Sequence, residues 1–201
     1  MALSAVYQYF IIYKPYGTIS QFTREGEHAV LGDLYEFPKD VYPVGRLDTD
    51  SEGLLILTND KRLNGALLDP QHAHKREYWV QVEGEVSPEA LRELEQGVEI
   101  NINGKLHQTL PAQAKILAEP LLPERTPPIR FRKSVPTSWL SLTITEGKNH
   151  QVRKMTAKVG FPTLRLVRWA IEGINCKGMI AGDVVQMDGV ELYRKLKLLV
   201  K

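Results

Sequence analysis

One short stretch, Gly53-Leu54-Leu55-Ile56-Leu57, is apolar at every position. A continuous apolar run of that length, closed by Thr58-Asn59-Asp60, reads as a buried strand followed by a turn or helix cap. Four carboxylates surround it: Asp48, Asp50, Glu52 and Asp60. The polar segment from Gly45 to Glu52 is then a loop entering the end of a buried strand, and loops held by a rigid sheet are common places for chemistry.

The remaining pattern is mostly strand. Ala5 to Tyr13 alternates loosely and reads as a strand, which "KPYG" breaks as a turn. Tyr35 to Tyr42 reads as a loop. Asp60 is placed to cap a short helix through Leu68, which Asp69-Pro70 ends. In Glu77 to Val82, Tyr78, Val80 and Val82 alternate with Trp79 and Gln81, so the segment is a strand with Tyr78 facing inward. "SPEALRELEQG" is a punctuated helix: Ser87 at the N-cap, Pro88 behind it and Gly97 past the end. Val98 to Ile102, Asn103-Gly104 and a following strand form a hairpin with a type I′ turn. Glu119 to Pro136 is Pro-rich and basic, an exposed loop. Trp139 to Thr145 is a strand. Asn149 to Val159 is a helix with Val152, Met155 and Val159 on one face and Gly160 as its stop. Several short strands are expected from Thr163 onward. Hairpin connections imply antiparallel pairing, and the class is α+β.

At 201 residues, 43% hydrophobic and 25% charged, the chain can bury a real core. Its one cysteine, Cys176, leaves no internal disulfide and no cysteine-based zinc site, which suits a reducing cytoplasm. No signal peptide or membrane span is visible. The net charge is only +2, but Ala118 to Arg168 holds ten Lys/Arg against three acids, leaving −5 for the rest. Segregated positive charge suits a polyanion such as nucleic acid, or a solvated basic surface.

Three stretches carry candidate chemistry. "DTDSEG" begins like an EF-hand loop, but position 12 needs a bidentate Glu and is Asn59, and helices do not flank it; calcium is not expected. "EGKNHQVRKM" is a turn feeding a basic helix, a combination that favours phosphate. Lys154 and Lys158 fit a plain solvated face, whereas Arg153 lies beside the apolar stripe, where a cation wants a carboxylate. In "KREYWVQVEG", Tyr78 is either a core tyrosine or a pocket wall on which a base can stack.

Together these stretches resemble the pseudouridine synthases, in the branch that modifies ribosomal RNA (type A of the small ribosomal particle, types B, E and F of the large one). "GRLDTDSEGLLILTND" is similar to that branch's catalytic motif, "KREYWV" to its tyrosine motif, "EGKNHQVRKM" to its basic motif and "RLVRWAIEGI" to its closing motif; "KPYG" also fits. Arg76 stands where the family usually has lysine. The sequence begins almost directly at the first expected strand, so the types without an N-terminal S4-type RNA-binding domain fit best. The resemblance implies the pseudouridine synthase fold: a mixed, mainly antiparallel sheet with helices and loops around a central catalytic cleft. It implies one catalytic domain over 1–201, divisible into lobes of roughly 1–75 with 165–201, and 76–164.

The function implied is isomerisation of a specific uridine in ribosomal RNA, 23S before 16S, by a cytoplasmic monomer with no cofactor, metal or membrane. Asp48 would be the catalytic carboxylate, as nucleophile or as base on the sugar. Arg153 would keep it ionised, and Tyr78 would stack on the target base. Leu166 would be an apolar wall. The uridine must leave its helix. Arg46 would fill the gap, unless it is a structural partner of Asp50 or Glu52. Lys148, Asn149 and His150 at the turn, and Arg130, Arg132 and Lys133 in the basic loop, would grip phosphates, giving affinity rather than sequence information. Two other classes compete: an inactive RNA-binding or ribosome-assembly factor on the same fold, and a small-molecule enzyme. The joint presence of Asp48, Tyr78 and Arg153 argues against the first. The basic region and the lack of phosphate-cradling glycine motifs argue against the second.

Overall fold

The structure, a computed structural model, describes residues 7–129, 132 and 134–198. In chain order it begins with β1 (Tyr9–Lys14), β2 (Thr18–Ile19), β3 (Ala29–Val30), β4 (Tyr42–Pro43), β5 (Glu52–Thr58) and α1 (Lys61–Leu68). Next come β6 (Arg76–Glu83), α2 (Pro88–Gln96), β7 (Glu99–Ile102), β8 (Lys105–Gln108), β9 (Gln113–Leu117), β10 (Thr137–Ile144), α3 (Gln151–Lys158) and β11 (Thr163–Ile171). β12 (Ile174–Asn175), β13 (Val184–Gln186) and α4 (Gly189–Lys195) complete it. The class is α+β with mainly antiparallel pairing; β2 and β3 pair in parallel. The chain forms two compact units, one from the segments up to His72 and from Ile171 onward, the other from Ala73–Ala170.

The first unit is organised by β5, buried at every position. It pairs antiparallel with β1, from Tyr9↔Thr58 to Lys14↔Gly53, and β13 pairs with the other edge of β1. Phe10, Ile12, Leu31, Val41, Leu47, Leu55 and Leu57 form one core cluster. The expected cap is present: the Asp60 carboxylate accepts the Arg62 N–H at 3.0 Å at the start of α1. It also accepts the hydroxyls of Tyr9 (2.9 Å) and Tyr193 (2.7 Å), so one buried carboxylate ties α1 to β1 and α4.

The second unit is built on β6, flanked by β11 on one side and β10, then β9, on the other. β6 and β10 pair antiparallel over Thr137↔Glu83 to Ile144↔Arg76. Tyr78, Val80, Val82, Leu140, Leu142, Ile144 and Leu166 share a core with Leu94 of α2 and with Val152 and Met155 of α3. Ser87 caps α2 as expected, accepting the Ala90 N–H at 3.2 Å. Asn103 and Gly104 both have positive φ (51° and 84°), as a type I′ turn requires.

The chain after Thr163 differs from expectation. The short strands β12 and β13 are present, but they follow the nine-residue strand β11 and precede a helix, α4, that the strand reading did not include. The helix has its own start signal: Asp188 accepts the Glu191 N–H at 3.0 Å. Leu192 and Leu196 anchor it in the interior.

Burial acts to raise the Asp60 carboxyl, but hydrogen bonds from Arg62, Tyr193 and Tyr9 outweigh it and hold the group at about 2, below its ordinary 3.8. Burial, then the bond to Asp60, push Tyr193 up to about 12. A carboxyl depressed in the fold stabilises it above the unfolded value and loses that contribution as pH falls through the folded one. Asp60 should therefore contribute about 2 kcal/mol above pH ~5 that fades toward pH ~2. Urea unfolding of wild type and Asp60→Asn across that range should show the stability gap narrowing as pH falls.

Candidate active site

The loop that leads into β5 belongs to the first unit. Gly45 enters it at φ 70°, a left-handed conformation that favours glycine. Leu47 then drops its side chain into the core. Its main chain is held on both sides by one hydroxyl: Ser20 Oγ donates to the Leu47 carbonyl at 2.7 Å and accepts the Leu47 N–H at 3.0 Å. Asp48 follows, half-buried. The Gly17 N–H donates to the Thr49 carbonyl at 2.8 Å, and the Ser51 N–H donates back to the Asp48 carbonyl at 3.0 Å. Arg46 is exposed and Asp50 half-buried, while Glu52 is buried in β5.

The turn that holds Gly17 and Ser20 is itself fixed by a buried cation. Lys14 Nζ donates to the carbonyls of Thr18 (2.6 Å) and Pro15 (3.1 Å). The "KPYG" stretch, read from sequence as a strand breaker that also fits the family pattern, is thus a structured support for the Asp48 loop. Asn59, the residue that fails the calcium pattern, accepts the Gln8 N–H at 2.9 Å and donates to Asp40 at 2.8 Å.

In the second unit, Tyr78 faces inward as expected and is 8% exposed. Leu166 and the buried face of α3 lie in the same cluster, so Tyr78, Leu166 and the helix carrying Arg153 are brought together. Arg153 is half-buried. The helix begins at Gln151, later than the sequence pattern placed it, because His150 takes a left-handed conformation (φ 50°). The turn before it is built by two side chains that sequence reasoning missed. Buried Gln151 accepts the Lys148 N–H through Oε1 at 2.9 Å, while its own N–H donates to the Lys148 carbonyl at 3.1 Å. Its amide nitrogen donates to Glu146 Oε1 at 2.7 Å. Glu146 also accepts the Leu110 N–H at 2.8 Å and meets His107 Nε2 at 3.0 Å. The side chains of Lys148, Asn149 and His150 are therefore displayed at the surface from a fixed turn.

The basic region from Ala118 to Arg168 is less uniform than its charge count suggested. Arg165 and Arg168 are buried, 6% and 5% exposed, so they do not belong to a solvent-facing patch. Charge counting cannot register burial. Arg125 folds back onto the carbonyls of Pro127 and Pro128. Arg132 is exposed and pairs with Glu83 at 3.1 Å. Arg130 and Lys133 lie outside the described residues.

A carboxylate on a main-chain-fixed loop, and a basic helix start beside an inward tyrosine, are the parts the sequence resemblance called for. The profile of the family described as "RNA pseudouridylate synthase" matches residues 8–158, which include both the Asp48 loop and the Arg153 helix. The chain belongs to the RNA pseudouridylate synthase family. It is 48% identical over 183 residues to the "Ribosomal large subunit pseudouridine synthase E" of Vibrio vulnificus, covering 90% of this chain and 76% of that protein. The protein of the same name from Xanthomonas axonopodis pv. citri is 52% identical over 164 residues, covering 80% and 84%. The "Ribosomal large subunit pseudouridine synthase B" of Bacillus subtilis is 35% identical over 187 residues, covering 92% and 70%. The fold matches a solved pseudouridylate synthase structure with a TM-score of 0.76 at 24% identity, over 94% of this chain and 74% of that one.

Glu146→Ala should destabilise the protein by about 1–3 kcal/mol, since donors that its carboxylate satisfies in a half-buried setting lose their acceptor. Glu146→Gln, which keeps an acceptor oxygen, should recover part of that loss in denaturant unfolding.

Proposed function

We propose that this chain isomerises a uridine of ribosomal RNA to pseudouridine, with Asp48 as the catalytic carboxylate. The observation that carries the reading is the Asp48 loop, fixed by main-chain bonds on either side of the carboxylate, within a chain of this family. The large-subunit names of the relatives above support 23S RNA as the substrate. Their bacterial ribosomal role supports a cytoplasmic enzyme. We extend the reading to a single catalytic domain acting as a monomer.

The reaction conserves atoms. The N1–C1′ bond breaks, the base turns, C5 bonds to C1′, and the proton lost from C5 is balanced by one gained at N1. It transfers no electrons or phosphate and so calls for no cofactor. Asp48 acts through its ionised carboxylate, as nucleophile or as base on the sugar. Arg153, half-buried on α3, is the cation that the family resemblance assigns to the same reaction. Tyr78 offers its ring to the target base and Leu166 an apolar wall. Arg46, exposed in the same loop, fills the gap the uridine leaves. Lys148, Asn149 and His150, displayed from their turn, grip the backbone.

Asp48→Asn should lower pseudouridine formation by on the order of 10³-fold or more, with RNA affinity within about twofold of wild type. Tritium release from 5-tritiated uridine in RNA measures the first and filter binding the second. Near-wild-type turnover would refute the assignment and favour another carboxylate or an RNA-binding role alone.

The basic loop makes a separate claim. Changing Arg130, Arg132 and Lys133 to Ala should weaken RNA binding and flatten its log–log salt dependence by about 0.7 to 0.9 for each phosphate no longer gripped. The single-turnover rate at saturating enzyme should hold. Unchanged binding with a collapsed rate would instead place the loop in the chemistry.

A further inference from the structure

We infer that Ser20 is a positioning residue for catalysis: its hydroxyl holds the main chain next to Asp48 in the one arrangement from which the carboxylate reacts. This rests on the assignment of Asp48 above. The hydroxyl belongs to a residue only 6% exposed and makes two bonds to a single neighbour, donating to Leu47 O and accepting from Leu47 N. Only a group that is donor and acceptor at once can do both, which a serine or threonine hydroxyl is.

The position of that neighbour gives the interaction its consequence. Leu47 immediately precedes Asp48, and its side chain is already fixed in the core. With main chain and side chain both pinned, the Cα of Asp48 is set from its N-terminal side. On the other side, Gly17 N–H holds Thr49 O, and the Ser51 N–H closes onto Asp48 O. Gly17 and Ser20 belong to the same short turn region, so both flanks of Asp48 are referred to one support. Catalytic geometry tolerates errors of about half an ångström, and a misplacement of about 1 Å can cost on the order of 100-fold in rate. Without the hydroxyl, two buried main-chain groups lose their partner, and the loop gains conformations in which they reach water.

The chemistry separates this role from plain stability. A residue that only holds the fold together would lower the folded fraction and leave the rate of each folded molecule alone. A positioning residue lowers the rate of the folded enzyme far more than it weakens RNA binding, because the phosphate-gripping residues lie elsewhere in the sequence and only Arg46 adjoins Leu47.

The test compares Ser20→Ala, Ser20→Thr and Asp48→Asn, using single-turnover tritium release from ribosomal RNA transcript, with rates referred to the folded fraction from circular dichroism. Ser20→Ala should fall about 10- to 100-fold in the saturating rate while the enzyme concentration for half-saturation stays within about twofold. Ser20→Thr, which restores the hydroxyl, should return to within about threefold of wild type. If Ser20→Ala does not fold, Ser20→Cys keeps the side chain small and weakens both bonds, and it should show the same loss in smaller degree. A folded Ser20→Ala or Ser20→Cys at wild-type rate, with Asp48→Asn inactive, overturns the inference. An active Asp48→Asn shows instead that the assignment of Asp48 has failed.

Discussion

The antiparallel register of β1 on β5 is the constraint on which the first unit's candidate chemistry depends. It pairs Lys14, the last residue of β1, with Gly53, near the first residue of β5. The chain leaving β1 and the chain arriving at β5 must therefore lie at the same end of the sheet. That is why a turn at residues 15–20 can hold a loop at 45–51, far away in sequence. A shift of one residue would turn the strand's side chains to the opposite faces and take Phe10, Ile12, Leu55 and Leu57 out of the core cluster they fill. Hydrophobic burial sets the register; the register brings Ser20 to Leu47.

The acids around the apolar strand divide by surroundings. Asp60 is a structural hub, held ionised by hydrogen bonds that outweigh its burial, and it binds α1, β1 and α4 together. Glu52 is buried within β5 itself. Asp48 and Asp50 remain half-buried in the loop. Proximity in sequence therefore says little about shared function: the short span from Asp48 to Asp60 holds a cap, a strand residue and a candidate catalytic group.

Much of the fold was legible because its signals are local. Asp60 and Ser87 cap helices within three residues of themselves, and Asn103-Gly104 specifies its turn directly. The α4 helix carried a local signal too, Asp188 three residues before Glu191, but the apolar residues beyond it also suit a strand. The edge strand β9 shows neither clean alternation nor strong burial, so its pattern gave no boundary. What escaped was non-local. Ser20, Glu146 and Gln151 matter through partners that folding brings to them, and no spacing in the chain announces a buried hydroxyl or carboxylate. Arg165 and Arg168 show the converse: their charge is plain in the sequence and their burial is not.

The two units share one device. In each, a buried polar side chain bonds the main chain of a segment whose own side chains carry the proposed function. Ser20 does this for Leu47, beside Asp48; Gln151, held by Glu146, does it for Lys148, beside Asn149 and His150. Main-chain anchoring has a physical advantage over side-chain anchoring. It fixes where a functional residue starts while committing none of that residue's side-chain donors or acceptors to the support. It also makes the support indifferent to which side chain is displayed at 148 or 149, whereas position 150 must tolerate its left-handed φ of 50°. Reactivity and its scaffold are then set by different residues, and the scaffold residues are the ones a search for charged or nucleophilic groups passes over.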